Sequence, residues 1–316
     1  MLFIQGNFIE KKSEVSLGIF FYRMSLYQQL ETAISKILDT YSETINLFNL
    51  NGLYHLMGNV SWGKGQIHSA IAFQDKAKSA LEMCKAHHVE ECGFHADKIE
   101  SRYALYLFNV GLYKLYLWEL EDADSQFEES IQFSSRTSNE SRALKAECFQ
   151  AFVKAAMGAE DEALCLAKSS FDKIILGNYG SIIHVGFYLW ILGRAFRLLG
   201  RHSDSIKAFD KSSLDAFYEE NSQAKARLLY GLAELDLDKR EFEAAVVKCK
   251  EAVSLLCSIG AKSDLAEAYF HLGNAQKAAG ANAEASNAYN SAISLFEEMN
   301  APRQISRVKE KLNFTL

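Results

Sequence analysis

The sequence predicts an all-α helical-repeat solenoid, and three observations point to it. A small residue recurs at Gly18, Gly58, Gly111, Ala151, Gly193, Ala233 and Gly273, with successive spacings of 40, 53, 40, 42, 40 and 40 residues. A fixed period of this size marks a stacked repeat, in which each unit buries its apolar face against its neighbours. The 316 residues contain a single proline, Pro302, which suits closely packed helices joined by short turns, because proline breaks a helix. Hydrophobic residues make up 49% of the chain, enough for one continuous core.

Each element follows from its place relative to the anchor. A large residue precedes the anchor in most copies (Leu17, Met57, Val110, Leu192, Leu232, Leu272), Gln150 being the exception. Seven residues after it a turn is due. Gly65, Gly158, Gly200 and Gly280 stand there, with Ser25, Trp118 and Arg240 in the other copies. Glycine at that offset suits a helix C-terminus that needs a left-handed residue. Twelve residues after the anchor come Leu30, Ala70, Ala123, Ala163, Ser205, Ala245 and Ala285; nineteen after come Ile37, Ala77, Ser130, Ser170, Ser212, Ala252 and Ala292. Small side chains there let two helices approach closely. Phe127, Phe209 and Tyr289, sixteen after their anchors, can fill space between neighbouring hairpins.

The first helices of the hairpins are expected at about 11–24, 51–64, 101–117, 143–157, 183–199, 222–238 and 263–279. The second helices fall near 27–45, 66–88, 120–134, 160–175, 203–217, 242–258 and 282–298. The chain is thus a single array with repeats at about 11–45, 51–90, 101–135, 143–175, 183–217, 222–258 and 263–298. A basic helix at 302–313 caps the end, since terminal repeats need a polar outer face. At the other end, Leu2 to Phe20 reads like Leu255 to Phe270, the end of one hairpin followed by the next helix. An upstream repeat cut from the array and an irregular N-terminal cap both fit that pattern.

The net charge is −6, so there is no general basic field for nucleic acid or an anionic membrane. The N-terminal segment lacks a signal-peptide pattern. The most apolar stretches, Tyr106 to Leu120 and Ser181 to Gly193, are shorter than the ~20 residues a bilayer span needs. Six scattered cysteines form no disulfide framework, and a reduced, cytoplasmic setting is expected.

Little in the sequence carries catalysis. Gly58-Asn-Val-Ser-Trp-Gly63-Lys64-Gly65 matches the first seven positions of a phosphate-binding loop, but Gly65 replaces the Ser or Thr that binds magnesium, and the segment ends a helix rather than following a strand. Cys84, His88, Cys92 and His95, in the one long spacing, share a helical stripe of zinc-ligand types. One straight helix brings only neighbouring pairs to a tetrahedral ion, so this stretch reads as a helix end. No metal, cofactor or enzymatic activity is expected.

The sequence resembles the tetratricopeptide repeat. The best copy reads Tyr269, Leu272, Gly273, then Ala285, Tyr289, Ala292; the copy at Leu189, Leu192, Gly193, Phe196, Ser205, Phe209, Ser212 is nearly as good. The likeness covers about residues 12 to 300. The usual period is 34 residues, and the longer one here is similar to the long repeats of kinesin light chains and of the sensor ends of bacterial signalling ATPases. The resemblance implies a right-handed superhelix of seven hairpins plus the capping helix, with the first helices lining a concave groove.

It also implies which side chains face that groove. Three before the anchor these are His55, Phe108, Cys148, Trp190, Tyr230 and Phe270. One after it they are Asn59, Leu112, Phe152, Arg194, Glu234 and Asn274; four after, Trp62, Leu115, Ala155, Arg197, Leu237 and Lys277. Arg227, six before its anchor, joins Arg194 and Arg197 in a basic patch. Aromatics and arginine tend to anchor interfaces, so the expected partner is an extended or helical peptide or protein segment with apolar anchors and some acidic groups. The same aromatics at helical spacing equally fit core between neighbouring helices. The implied function is a non-catalytic binding scaffold or adaptor, with the effector-binding part of a larger bacterial signalling protein as the alternative. Self-association is left open.

Overall fold

Backbone hydrogen bonds and small side chains build the same hairpin repeatedly. The computed structural model describes residues 26–41, 45–86, 96–137, 140–177, 185–213 and 221–313. These residues form helices and turns, and no strand occurs among them. Helix α1 spans Tyr27–Tyr41. Six hairpins follow, the first five being α2 Leu47–Gly63 with α3 Ile67–Ala86, α4 Ala96–Tyr116 with α5 Leu120–Ser135, α6 Glu140–Ala156 with α7 Glu160–Leu176, α8 Val185–Leu198 with α9 His202–Ser213, and α10 Ser222–Asp238 with α11 Phe242–Ile259. The last is α12 Lys262–Ala278 with α13 Asn282–Glu298, after which α14 Pro302–Asn313 ends the array. The helix expected at 11–24, which would pair with α1, lies outside the described residues. The chain is therefore an all-α solenoid. Among the described residues the largest boundary differences are at α2 and α4, which are helical from about one turn before the expected residue.

Three of the glycine anchors are small because a ring lies on them, and at Gly58 the Gln74 side chain takes the ring's place. A Cβ added at Gly111, Gly193 or Gly273 would lie 2.9, 2.7 or 2.6 Å from the ring of Phe127, Phe209 or Tyr289, sixteen residues on in the same hairpin. Where the anchor is alanine, the residue at that offset shrinks: Ala167 stands opposite Ala151, and Cys249 opposite Ala233. These rings fill their own hairpin, and Phe127 also reaches Phe149 of the next, with centroids 5.8 Å apart.

The small positions are buried throughout, Ala70, Ala123, Ala163, Ser205 and Ala245 at offset twelve and Ala77, Ser130, Ser170, Ser212 and Ala252 at offset nineteen. The serines add a bond that the close approach makes possible. Ser130 Oγ donates to the Ala104 carbonyl at 2.7 Å and Ser212 Oγ to the Gly186 carbonyl at 2.8 Å, each crossing the hairpin.

The turns share one cap. Gly65, Gly158, Gly200 and Gly280 have φ between 67° and 82°, and Trp118 and Arg240 adopt 60° and 63° at the same offset. In each, the next amide bonds back across the turn, as Arg201 N to the Phe196 carbonyl at 2.8 Å and Glu241 N to the Asp236 carbonyl at 2.8 Å. This pattern satisfies helix-terminal carbonyls. The second helices begin with acids such as Glu121, Asp122 and Glu160, which favour the positive end of a helix dipole.

The array turns far enough for its ends to meet. The Tyr27 hydroxyl donates to Gln223 Oε1 at 2.5 Å, the Ser263 hydroxyl donates to the Trp62 carbonyl, and Gln304 Nε2 donates to the Tyr116 carbonyl at 3.0 Å. Arg303 pairs with Glu121 at 2.7 Å. The second and third hairpins thus touch the seventh hairpin and α14, and the concave side becomes an interior.

Candidate functional site

The structure brings eight of the expected groove residues, Trp62, Phe152, Trp190, Arg194, Arg197, Arg227, Tyr230 and Glu234, into one cluster. The Arg227 guanidinium lies 5.2 Å from the Trp62 ring and 5.9 Å from the Trp190 ring. Arg194 lies 4.9 Å from Phe152, 5.4 Å from Trp190 and 5.7 Å from Tyr230. Trp190 and Tyr230 meet edge to face at 5.8 Å. Arg197 completes the group through Glu234.

The remaining expected residues lie apart from this cluster. His55 is enclosed with Asn51, Gln74 and Asn109. Phe108 packs on Phe127 and Phe149 at 5.9 and 5.6 Å, as core between neighbouring hairpins, and Leu112 is buried with it. Asn59 accepts from the Tyr113 hydroxyl at 2.8 Å and Asn274 from the Tyr289 hydroxyl at 2.8 Å. Phe270 lies under Arg307 of α14, and Lys277 donates to the Lys311 carbonyl at 2.6 Å.

The arginines of the fifth and sixth hairpins, expected as a basic patch, lie together, and each has a carboxylate partner. Arg194 Nε bonds Glu234 at 2.8 Å, and Arg197 reaches both Glu234 and Asp238. Arg227 makes two bonds to Asp264, at 3.0 and 2.7 Å. Asp264 is completely buried and also accepts from Tyr116 at 2.6 Å and Gln223 at 2.5 Å. Burial alone would raise the Glu234 carboxyl, but Arg194, His271 and Arg197 outweigh it and hold it at about 2. Burial pushes His271 down, while the Glu234 and Glu267 carboxylates act the other way. Its Nε2 lies 3.3 Å from the Arg194 guanidinium. Glu267 pairs with Arg307 at 2.9 Å.

Two donors in this wall lack an acceptor. The indole N–H groups of Trp62 and Trp190 are buried with no hydrogen-bond partner among the described residues. Buried polar groups are almost always bonded, so each such group calls for an explanation. Beside them, Leu115, Tyr116, Trp118, Phe149 and Ile191 help enclose a cavity of about 20 Å³, room for about one water molecule.

Sequence reasoning missed several members of this wall. Asp264, Glu267, Arg102, Arg142 and Lys145 stand nine or six residues before their anchors, one and two turns further along the inner stripe than the positions read above. Extending that stripe would have found them.

The other two stretches singled out in the sequence have ordinary roles where they are described. Gly58 to Gly65 is the end of α2 and its left-handed cap, and Lys64 pairs with Glu31 at 2.6 Å. Cys84 is buried in α3, while His88, Cys92 and His95 lie outside the described residues. Among the described residues no group of three or more His, Cys, Asp or Glu side chains is placed to hold a metal, and no helix is long and apolar enough to cross a membrane.

Comparison with known proteins agrees with the repeat. Residues 266–298 match the tetratricopeptide repeat family model. No curated protein sequence matches the chain. Among solved structures, the apo form of RapI is similar with a TM-score of 0.60 at 14% identity, over 95% of this chain and 100% of that one. A Rap protein complexed with Competence and Sporulation Factor gives 0.62 at 13% identity, over 95% and 80%. NprR in complex with its cognate peptide NprX gives 0.57 at 10% identity, over 95% and 82%. At these identities the likeness is one of fold.

Proposed function

We propose that the chain is a non-catalytic regulator or adaptor that binds a peptide segment inside its superhelix. The observation that carries this reading is the pair of buried indole donors, Trp62 and Trp190, flanking Arg227 on the inner wall. A peptide supplies carbonyl acceptors for such donors, and aromatic rings supply apolar seats for its side chains. NprR was solved with its cognate peptide, and its likeness in fold lends the reading support. The binding residues would be those of the inner wall: His55, Asn59, Trp62, Phe108, Leu112, Phe152, Trp190, Arg194, Arg197, Arg227, Tyr230, Phe270, Asn274 and Lys277. In this reading the 40-residue spacing places the repeats with the long type of kinesin light chains and signalling ATPases, and the setting is the cytoplasm.

The cavity between Tyr116 and Trp190, about 20 Å³, holds about one water molecule. In this reading a peptide that enters there parts the polar contacts that join the ends of the array, and interacts better with the parted form than with the closed one. Those contacts are hydrogen bonds and ion pairs, which a ligand or water can replace.

The test begins with peptides captured from native lysate by the immobilised chain and identified by mass spectrometry. A recovered peptide is then synthesised and titrated against the wild type and against a Trp62→Phe/Trp190→Phe variant. Direct binding weakened roughly tenfold or more in the variant, about 1.4 kcal/mol, supports the reading. Equal affinity for both proteins contradicts it.

A further inference from the structure

Four arginines of the interior, Arg194, Arg197, Arg227 and Arg307, are neutralised by carboxylates. A second group of cations on the same inner wall is not. Arg102 on α4 and Arg142 on α6 occupy equivalent positions, nine residues before Gly111 and Ala151, and Lys145 follows one turn after Arg142. All three are partly buried. Arg142 Nη1 donates to the Ser101 carbonyl at 2.5 Å, so its guanidinium lies against the backbone beside Arg102. Arg102 stacks over Phe48 at 4.5 Å, and Lys145 lies 5.7 Å from the Tyr188 ring. None of the three forms an ion pair among the described residues. The nearby His55 is neutral: its Nδ1–H donates to Gln74 Oε1 at 2.5 Å and its Nε2 accepts from Asn51.

Like charge acts along this group, from Arg102 to Arg142 and from Arg142 to Lys145. Burial, with Arg102 adding to it, pushes Arg142 down to about 10. Burial and Arg142 push Lys145 down to about 8. Partly buried like charges without a counter-ion are destabilising, whereas every other buried arginine described here is paired. An anion would relieve that repulsion, and the planar fork of arginine matches the paired oxygens of a carboxylate or phosphate.

We propose that Arg102, Arg142 and Lys145 form a binding site for an oxyanion group of a ligand, a carboxylate or a phosphate, on the inner wall of the third and fourth hairpins. If the ligand is the peptide of the preceding proposal, this site takes its acidic side chain or C-terminus. The site itself does not depend on that proposal.

The test uses two probes at constant ionic strength against a chloride control: inorganic phosphate and acetylated tetraglutamate. Thermal midpoints and arginine side-chain Nε–H NMR shifts are followed in the full chain and in Arg142→Gln/Lys145→Gln. In the wild type, one probe should raise the midpoint with saturation and move the Arg102 and Arg142 signals. The probe that saturates at lower concentration identifies the anion. In the double variant the probe-dependent rise should vanish, while the midpoint in chloride stays level or increases. If the double variant does not fold, Arg102→Lys keeps the charge, loses the fork and should bind the better probe several-fold more weakly. No rise over chloride with either probe, or an equal rise in the variants, overturns the proposal. Captured peptides that fail to bind leave the probe result standing, so the two readings fail separately.

Discussion

The Tyr116 hydroxyl donates to Asp264 Oδ1 at 2.6 Å, joining the third hairpin to the seventh across 148 residues. The same carboxylate receives both bonds of Arg227 from the sixth hairpin. One buried aspartate therefore locks three hairpins and closes the interior. Replacing it with asparagine leaves a buried guanidinium without a counter-charge, which costs about 3–5 kcal/mol. Urea unfolding of Asp264→Asn should show that loss. Tyr116→Phe should cost about 1 kcal/mol, and much less when Asp264 is already Asn, because the two share one network.

The anchor and the ring sixteen residues later form a complementary pair. Gly193→Ala would place a methyl 2.7 Å from the Phe209 ring, an overpacking that costs about 1–3 kcal/mol. The Ala233 and Cys249 pair shows the alternative solution within the same chain. Against a Phe209→Cys background, Gly193→Ala should therefore cost less than it does alone. A double-mutant cycle by chemical denaturation measures the difference.

The turn at Arg240 holds an exposed non-glycine residue at φ 63°. A left-handed backbone costs an L side chain roughly 1–2 kcal/mol, and four other copies use glycine there. Glycine recovers that strain but loses more entropy on folding. Arg240→Gly should stabilise the chain by about 0.5–1 kcal/mol, read as a raised urea midpoint with unchanged slope.

His55 gives a signed pH dependence. Burial, with Arg102 beside it, lowers it from 6.5 to about 3. The unfolded chain therefore takes up a proton as pH falls below 6.5, while the folded chain does not. Stability present above 6.5 is lost on the way down to 3, by up to about 1.4 kcal/mol per pH unit. His55→Gln should flatten the fall in stability between pH 6.5 and 5, with the remaining slope coming from other groups such as His271.

How far the sequence spoke depends on the range of the contact. The hairpins were legible because their cues lie within 7 to 19 residues of an anchor: Gly200 for a turn, Ser212 for close approach, Phe209 for the space over Gly193. Of the residues expected on the inner face, Trp62, Trp190, Arg194, Arg227 and Tyr230 converge, whereas Phe108 and Leu112 are core. What the sequence did not show is that the array closes. Ser263 and Trp62 are 201 residues apart, and no local pattern records how far a solenoid turns over that distance. Closure turns the concave groove into a wall whose Arg194, Arg197 and Arg227 are already paired. The unpaired cations, Arg102 and Arg142, repeat at one offset from their anchors and were readable in principle.

The central claim is that the interior is the binding surface, and the three tryptophans test it directly. Trp62 and Trp190 are buried in the inner wall, and Trp118 lines the same cavity. The chain contains no other tryptophan, so emission excited beyond the tyrosine absorption band reports on these three residues, two of them buried in the cluster and Trp118 at the edge of the cavity. Titrating a peptide recovered by capture should change the emission saturably, at the same midpoint as binding measured by calorimetry. A peptide that binds by calorimetry and leaves the emission unchanged would contradict the account and move the binding surface to the convex side.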